Sequence, residues 1–308
     1  MSATSPRWKK SPSSRDTAAS QLDTAGFSVT PELYLKFQRL IQQESGIWLG
    51  DSKAALLCGR LSRRLRVLKM SSLDQYYDLV MDPDQHEERI AMIDAIATNE
   101  TRFFRDPRHF EFLEARVIPR WRSEAQQGLR QKQIRLWSVG CSSGEEPYSL
   151  AMLMSRHLPA EQGWNVAILA TDISTRMLAH AYAGIYNIAK SVDIPVQLLK
   201  DCMLKGIDKQ SGQMKVMPKI QDMVEFQKLN LHHDRFPQDR LFDAILCRNV
   251  LIYFDLQSRQ RIVERLTRCL AQNGILFVGQ AENLSSFTPR LRTLVPAAYA
   301  RDGEHRGF

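Results

Sequence analysis

Two stretches of this sequence hold residues whose types and spacing could build a cofactor site. The run Val139-Gly140-Cys141-Ser142-Ser143-Gly144-Glu145-Glu146-Pro147-Tyr148 closes an apolar segment and opens a helical one. Gly140 and Gly144 allow a tight turn and close approach of a ligand, although strand-to-helix turns also carry glycines with no ligand. Glu145 and Glu146 fall in the first helical turn. A dinucleotide would set its pyrophosphate there, against two carboxylates that repel it. A ligand with a cationic group is accommodated instead, and S-adenosylmethionine, with an ammonium, a sulfonium and no phosphate, meets that requirement. A second apolar run ends in Ala170-Thr171-Asp172-Ile173, where a strand-end carboxylate can accept both ribose hydroxyls. Asp172 could alternatively cap or precede the helix that follows.

The elements that must position these residues follow from periodicity. The chain has 308 residues, 44% hydrophobic and 25% charged, enough for two domains or one large domain with an appendage. Residues 1–27, rich in Ser, Thr, Ala and Pro, read as a disordered tail. From Thr30, an N-cap candidate followed by Pro31 and Glu32, a helical domain is expected over 28–96, its first helix packing Leu33, Phe37, Leu40 and Ile41. The next helix carries Leu57, Leu61, Leu65 and Leu68 on one stripe, with Lys53, Arg60, Arg63, Arg64, Arg66 and Lys69 elsewhere and no acidic residue from Ser52 to Met70. Such a face lacks the i,i+4 pairs that stabilise a solvated helix and reads as a docking surface. A linker helix is expected over 97–130. Beyond it, strand-like runs at 134–139, 166–170, 224–229, 242–247 and 275–278 alternate with helical patterns at 147–157, 175–183 and 257–271. That alternation predicts a doubly wound parallel α/β domain over 131–308, its ligand outside the carboxyl ends of the strands. Within it, at about 188–222, a polar turn between short extended pieces, one through Leu198 to Leu204 and one at Met214 to Met217, predicts an inserted antiparallel hairpin.

The charge balance of 42 basic against 34 acidic residues, +8 overall, favours an acidic partner. The five cysteines form no C-x-x-C pair and the seven histidines no metal-binding motif, so neither a disulfide framework nor a metal is expected. No run reaches the length of a membrane span, and the start lacks the apolar core of a signal peptide, which points to a cytoplasmic protein.

Several motifs in order, Thr98-Asn99-Glu100-Thr101-Arg102-Phe103-Phe104-Arg105, Trp137-Ser138, Ser143 to Ser149, Asp172, Asn230-Leu231 and Phe242 to Phe254, resemble the chemoreceptor glutamate methyltransferases of the CheR family over about residues 28–300. The resemblance implies an all-α N-terminal domain, a linker carrying the TN-x-T-x-FFR segment, and a Rossmann-like S-adenosylmethionine domain with a small antiparallel insertion. It implies a cofactor shell of Asn99, Thr101, Arg105, Gly140, Glu146, Asp172, Asn230, Leu231, Arg248 and Asn249, with Arg105 and Tyr253 beside the reacting atoms. The implied substrate is the cytoplasmic helical hairpin of a chemoreceptor, met by Arg60, Arg63, Arg64 and Arg66. A receptor C-terminal peptide would add to the inserted hairpin, whose turn keeps Gly206 and Gly212. Gln280-Ala281-Glu282-Asn283 replaces a more usual G-H-S-E-N run, which removes any role for a histidine there. The protein is expected to act as a monomer.

A glutamate acceptor, with a pKa of about 4.3, is already ionised at neutral pH and needs no general base. Alignment and exclusion of water are then the enzyme's tasks. Two other readings fit parts of the sequence: a nucleic-acid methyltransferase, suited to the basic charge, and a non-catalytic adaptor that senses S-adenosylmethionine. Arg248-Asn249-Val250-Leu251 stands where base-amine methylases of the N-P-P-Y type place prolines and an aromatic, and the full set Arg105, Glu146, Asp172 and Tyr253 argues for catalysis. Core packing remains the simpler role for Phe103 and Phe104.

Overall fold

The computed structural model describes residues 27–284 and 291–301. The expected tail over 1–27 lies, except for Phe27, outside the described residues. Helix α1 (Pro31–Ser45) begins as its residues predict: the Thr30 side chain accepts the Leu33 amide at 3.2 Å and Pro31 occupies the first turn. It ends at Gly46, φ 74°, where a Cβ would lie 2.9 Å from both His232 Nδ1 and Phe254 Cε1. Glycine thus terminates the helix and lets it approach the second half of the chain. Helices α2 (Ala54–Leu68), α3 (Leu73–Met81) and α4 (His86–Ile96) complete the helical domain. Phe37, Ile41, Leu57, Leu61, Leu65 and Tyr76 form its core, while Leu68, at the end of the leucine stripe, is only half-buried.

Helices α5 (Pro107–Phe112) and α6 (Ile118–Gln126), joined by one π turn over Leu113–Val117, lead to the sheet. In chain order follow β1 (Gln133–Val139), α7 (Glu145–His157), β2 (Asn165–Asp172), α8 (Thr175–Ala183) and β3 (Ile185–Asn187). Then come α9 (Val196–Cys202), β4 (Met203–Lys205), β5 (Gln213–Val216), α10 (Pro218–Gln221) and β6 (Val224–Lys228). The chain continues through β7 (Phe242–Cys247), α11 (Leu256–Cys269), β8 (Leu270–Val278), β9 (Leu291–Val295) and β10 (Ala298–Arg301).

The large sheet has the order β6-β2-β1-β7-β8-β10-β9. Its first five strands are parallel, as expected, but β10 pairs antiparallel with both β8 and β9, so the sheet is mixed. Alternate residues of the central strands serve two cores. Leu136, Leu246 and Phe277 pack with α5 to α7, and Trp137, Ile245 and Leu276 pack with α11. Strand order reverses between β1 and β7, and a crevice at their carboxyl ends is the ligand position such a reversal creates.

The insertion is a three-stranded antiparallel sheet, β3-β5-β4, rather than a two-stranded hairpin. The hairpin itself joins β4 to β5, but Leu198 and Leu199, read as part of its first extended piece, lie in α9. Strand β3 supplies the other edge and begins at Ile185, before the expected boundary at 188.

Candidate active site

One cleft at the β1/β7 switch point collects Asn99, Thr101, Arg105, Gly140, Glu146, Asp172, Asn230, Leu231, Arg248, Asn249 and Tyr253. The helical domain contributes to the same cleft through Ser45, Ile47 and Ile96, so the cleft forms between the two halves of the chain.

The floor is the β1–α7 turn. Gly140 has φ 68°, and a Cβ there would sit 2.5 Å from Val250 Cγ2, so any other residue would be strained and would displace Val250 or the turn. Its amide and that of Cys141 both donate to the Thr171 carbonyl, at 2.8 and 2.9 Å. Ser142 donates its amide to Asp172 Oδ2 at 2.8 Å and its hydroxyl to the Asn99 carbonyl at 3.0 Å, fastening the linker to the turn. Asp172 also accepts the Ser174 amide on Oδ1 at 2.9 Å. Ser174, not Asp172, caps α8. Each Asp172 oxygen keeps lone-pair capacity for a ligand hydroxyl. Burial raises the Asp172 carboxyl above its ordinary pKa, against the Ser174, Ser142 and Ile173 amides that lower it.

The adjacent glutamates diverge. Glu146 faces the cleft, accepting the Ser138 hydroxyl at 2.7 Å and standing 3.1 Å from Arg248 Nε. Burial raises its pKa, opposed by Arg248, Ser138 and Arg105. Glu145 is fully buried on the other side, paired with Lys190 and with the Ser143 hydroxyl. The cationic-ligand argument therefore rests on Glu146 alone. Arg248 is buried, donates to the Arg105 carbonyl and stacks 5.6 Å over the Phe110 ring.

Arg105 is held between two residues of positive φ, Phe104 at 49° and Asp106 at 54°, and donates to the Glu100 carbonyl at 2.9 Å. Phe103 is buried against Tyr186, 5.0 Å between ring centroids, and the half-buried Phe104 packs on Phe110 at 5.0 Å, so both anchor the segment by packing. Tyr253 lies half-buried in the turn after β7, its carbonyl accepting the Trp48 amide at 2.7 Å.

S-adenosylmethionine fits this set. Arg248 Nη1 and Asn249 Oδ1 are buried polar atoms without a hydrogen-bond partner among the described residues, and Asp172 retains acceptor capacity. Asn230 lines the cleft but is engaged on both ends of its amide: Nδ2 donates to the Glu44 carbonyl at 2.7 Å and Oδ1 accepts the His232 amide at 2.9 Å. It joins the two halves of the chain and shapes the cleft with Leu231.

The four arginines expected to face a substrate separate into two pairs. Arg64 forms a two-point ion pair with Glu88, which also accepts the Tyr76 hydroxyl at 2.7 Å. Arg60 turns toward the linker, donating to the Ile96 carbonyl and to Thr98 Oγ1, the latter at 2.8 Å. Burial lowers its pKa, with the Tyr253 phenol opposing, which puts Arg60 in electrostatic reach of that side chain. Only Arg63 and Arg66 are exposed, together with Lys53 and Lys69. In the insertion, Gly212 has φ 84° and open space around it, whereas a Cβ on Gly206 would meet the Gln210 carbonyl oxygen at 2.1 Å.

Residue-type reasoning missed Ser138 and Ser142, which orient Glu146 and Asp172. It also missed Arg265, whose Nη1 donates to the Leu231 carbonyl at 2.8 Å while the guanidinium stacks 3.7 Å over Phe236. The pairing of a β1 serine with a residue of the next helix was the one available signal, since both ends of that turn must converge on a ligand.

A mixed sheet with a switch-point cleft of this donor set defines an S-adenosylmethionine-dependent methyltransferase. Residues 99–299 match the family model for the CheR methyltransferase SAM-binding domain, and residues 32–97 match that for the CheR methyltransferase all-alpha domain. The chain belongs to the CheR methyltransferase family. It is 33% identical over 276 residues to a chemotaxis protein methyltransferase of Borreliella burgdorferi, covering 89% of this chain and 96% of that protein. It is 34% identical over 268 residues to the chemotaxis protein methyltransferase of Escherichia coli, covering 87% and 90%. Chemotaxis protein methyltransferase 2 of Pseudomonas aeruginosa is 34% identical over 274 residues, covering 89% and 94%.

Proposed function

We propose that the protein esterifies glutamate side chains on the cytoplasmic helices of a chemoreceptor, with S-adenosylmethionine as methyl donor, in the cytoplasm and as a monomer. The observation that carries this reading is the convergence of Arg105 and Tyr253 on the cleft that also holds Glu146 and Asp172. When bound, the cofactor supplies an electrophilic methyl group on a sulfonium. Glu146 receives the cationic end of the ligand and Asp172 its hydroxyls. Arg105 orients the ligand carboxylate from the linker, because a guanidinium close to the acceptor would blunt the attacking oxygen. The Tyr253 phenol donates to the acceptor carboxylate and aims its other oxygen. The helical domain and linker cover the cleft and exclude water, which would otherwise solvate both reacting ions.

Arg63 and Arg66 meet the acidic receptor helix from α2. The edges of the inserted sheet, β3 and β4, offer pairing groups to an extended receptor peptide, with Leu204 of β4 and Ile207 just beyond it exposed. The test is transfer of a labelled methyl group to a receptor cytoplasmic fragment. Base-labile label that is lost with Arg105→Ala, and lost when acceptor glutamates become alanine, supports the reading. Cofactor binding without label on the receptor, alongside a methylated nucleic acid, overturns it.

A further inference from the structure

The turn that carries Tyr253 is clamped from outside the cleft by two residues of opposite charge. Glu282 is buried in the segment after β8. Its Oε2 accepts the amides of Asn249 at 3.0 Å and Gly279 at 2.5 Å, and its Oε1 accepts the amide of Ile252 at 3.1 Å. Gly279 makes that convergence possible, because a Cβ there would lie 2.8 Å from Glu282 Oε2 and 2.9 Å from the Asn249 amide nitrogen. On the other side, Arg259 of α11 donates from Nε to the Phe254 carbonyl at 2.7 Å and from Nη2 to the Ile252 carbonyl at 3.4 Å. The peptide before Tyr253, through the Ile252 carbonyl, and the peptide after Phe254, through the Phe254 carbonyl, thus accept from a charged donor, and such hydrogen bonds are stronger than neutral ones. The turn needs such restraint: Asn249 sits at φ 59°, a left-handed conformation that an L-residue adopts at some expense of stability.

We infer that Glu282 and Arg259 are positioning residues that set the Tyr253 phenol for the acceptor, a role that rests on the aiming function proposed above for Tyr253. The two residues divide the work. Glu282 holds both the cofactor-facing Asn249 and the start of the Tyr253 turn, so its loss should reach cofactor binding and turnover together. Arg259 holds only the part beyond Asn249, so its loss should reach turnover alone.

The experiment is a double-mutant cycle on the full chain between Arg259→Ala and Tyr253→Phe, read as kcat for receptor methylation, with affinity for S-adenosylhomocysteine measured in parallel. Expected is a loss of kcat of about 10-fold in Arg259→Ala with product affinity within about twofold of wild type, partial recovery in Arg259→Lys, and no further loss when Arg259→Ala is added to Tyr253→Phe. Glu282→Gln, which replaces one acceptor oxygen with a donor, should lower both kcat and affinity. Amide hydrogen exchange at Asn249 and Ile252, expected to quicken in Glu282→Gln, reads the clamp without any acceptor. Additive losses in the cycle, with Tyr253→Phe itself impaired, overturn the positioning role while leaving the function of Tyr253 standing. A fully active Tyr253→Phe overturns both. Unchanged exchange at both amides overturns the clamp whatever the enzyme methylates.

Discussion

The cofactor cleft and the basic face of α2 present charge in opposite ways. In the cleft, Glu146, Asp172 and Arg248 are largely out of water, and each is tied to at least one named partner before any ligand arrives. On α2, Arg63 and Arg66 project into solvent, while their neighbours Arg60 and Arg64 are engaged inside the protein. A small ligand of fixed shape rewards a preorganised site, because every group held beforehand is one whose ordering does not weaken binding. A protein acceptor, which must be found, turned over and released at several sites, is served by exposed charge that steers encounter more than it adds affinity. The contrast predicts that substitutions in the cleft change ligand binding sharply, whereas those on α2 change either stability or encounter, depending on which arginine is removed.

The largest expected effect tests the rigidity of the cleft. Gly140→Ala puts a methyl group where 2.5 Å separates it from Val250 and forces a left-handed backbone on alanine. Overpacking and strain together should cost about 3 kcal/mol in urea unfolding, and the shift of Val250 or of the turn that relieves them displaces the cleft wall, so affinity for S-adenosylhomocysteine measured by calorimetry should fall by at least about 10-fold. An affinity within a fewfold of wild type would mean that the turn yields and that the cleft is not preorganised. The next effect divides α2. Arg64→Ala leaves the Glu88 carboxylate, 9% exposed in its side chain, without its cation. Because Arg64 is itself partly exposed, the loss should be about 2 kcal/mol in urea unfolding, below that for a fully buried pair, while Arg63→Ala stays within about 0.5 kcal/mol of wild type.

This division explains what could be read from the sequence and what could not. Adjacent helical residues point about 100° apart, so one run of arginines was bound to face several directions. The partner that takes up Arg64 lies 24 residues away and is invisible to any i,i+4 rule. The same geometry separates Glu145 from Glu146: the spacing placed both in the first turn, but only packing of the inserted sheet reveals that Lys190 takes the former. The parallel strands were legible because they are short apolar runs between helical patterns. Strands β9 and β10 were not, since Leu291-Arg292-Thr293-Leu294-Val295 lacks strict alternation and Ala298-Tyr299-Ala300 is built mostly of small residues with weak strand preference. Glu282 was legible only as a letter in an altered motif, because its partners are backbone amides that leave no mark on residue type.

A third measurement sharpens the cleft side through pH. Burial raises the Glu146 pKa, so the ionised form is less favoured in the fold than in the unfolded chain. The sign follows: the group favours folding at low pH, and that contribution disappears as pH rises through its folded value. Binding runs the other way, because a cationic ligand needs the carboxylate. Affinity for S-adenosylhomocysteine should therefore be flat at and above neutrality and fall as pH drops through the upper carboxylate range. Glu146→Gln should bind about 10-fold more weakly at pH 7.5, with that pH dependence reduced. An equal slope in both proteins would assign the dependence to Asp172.

The smallest effect lies on the exposed half of α2 and decides whether that face is a docking surface or a solvated one. Arg63 and Arg66 have no ion-pair partner among the described residues, so removing them exposes no buried charge and should leave unfolding unchanged within about 0.5 kcal/mol. If they steer an acidic receptor helix, the double variant Arg63→Ala/Arg66→Ala should raise KM for a receptor fragment several-fold with kcat nearly intact, and should flatten the rise of KM with ionic strength. If they are only solvated, KM and its salt dependence will match wild type, and the +8 of the chain must find its partner on another surface. The ionic-strength slope is the discriminating quantity, because loss of a packing contact raises KM equally at all salt concentrations, whereas loss of steering matters most where screening is weakest.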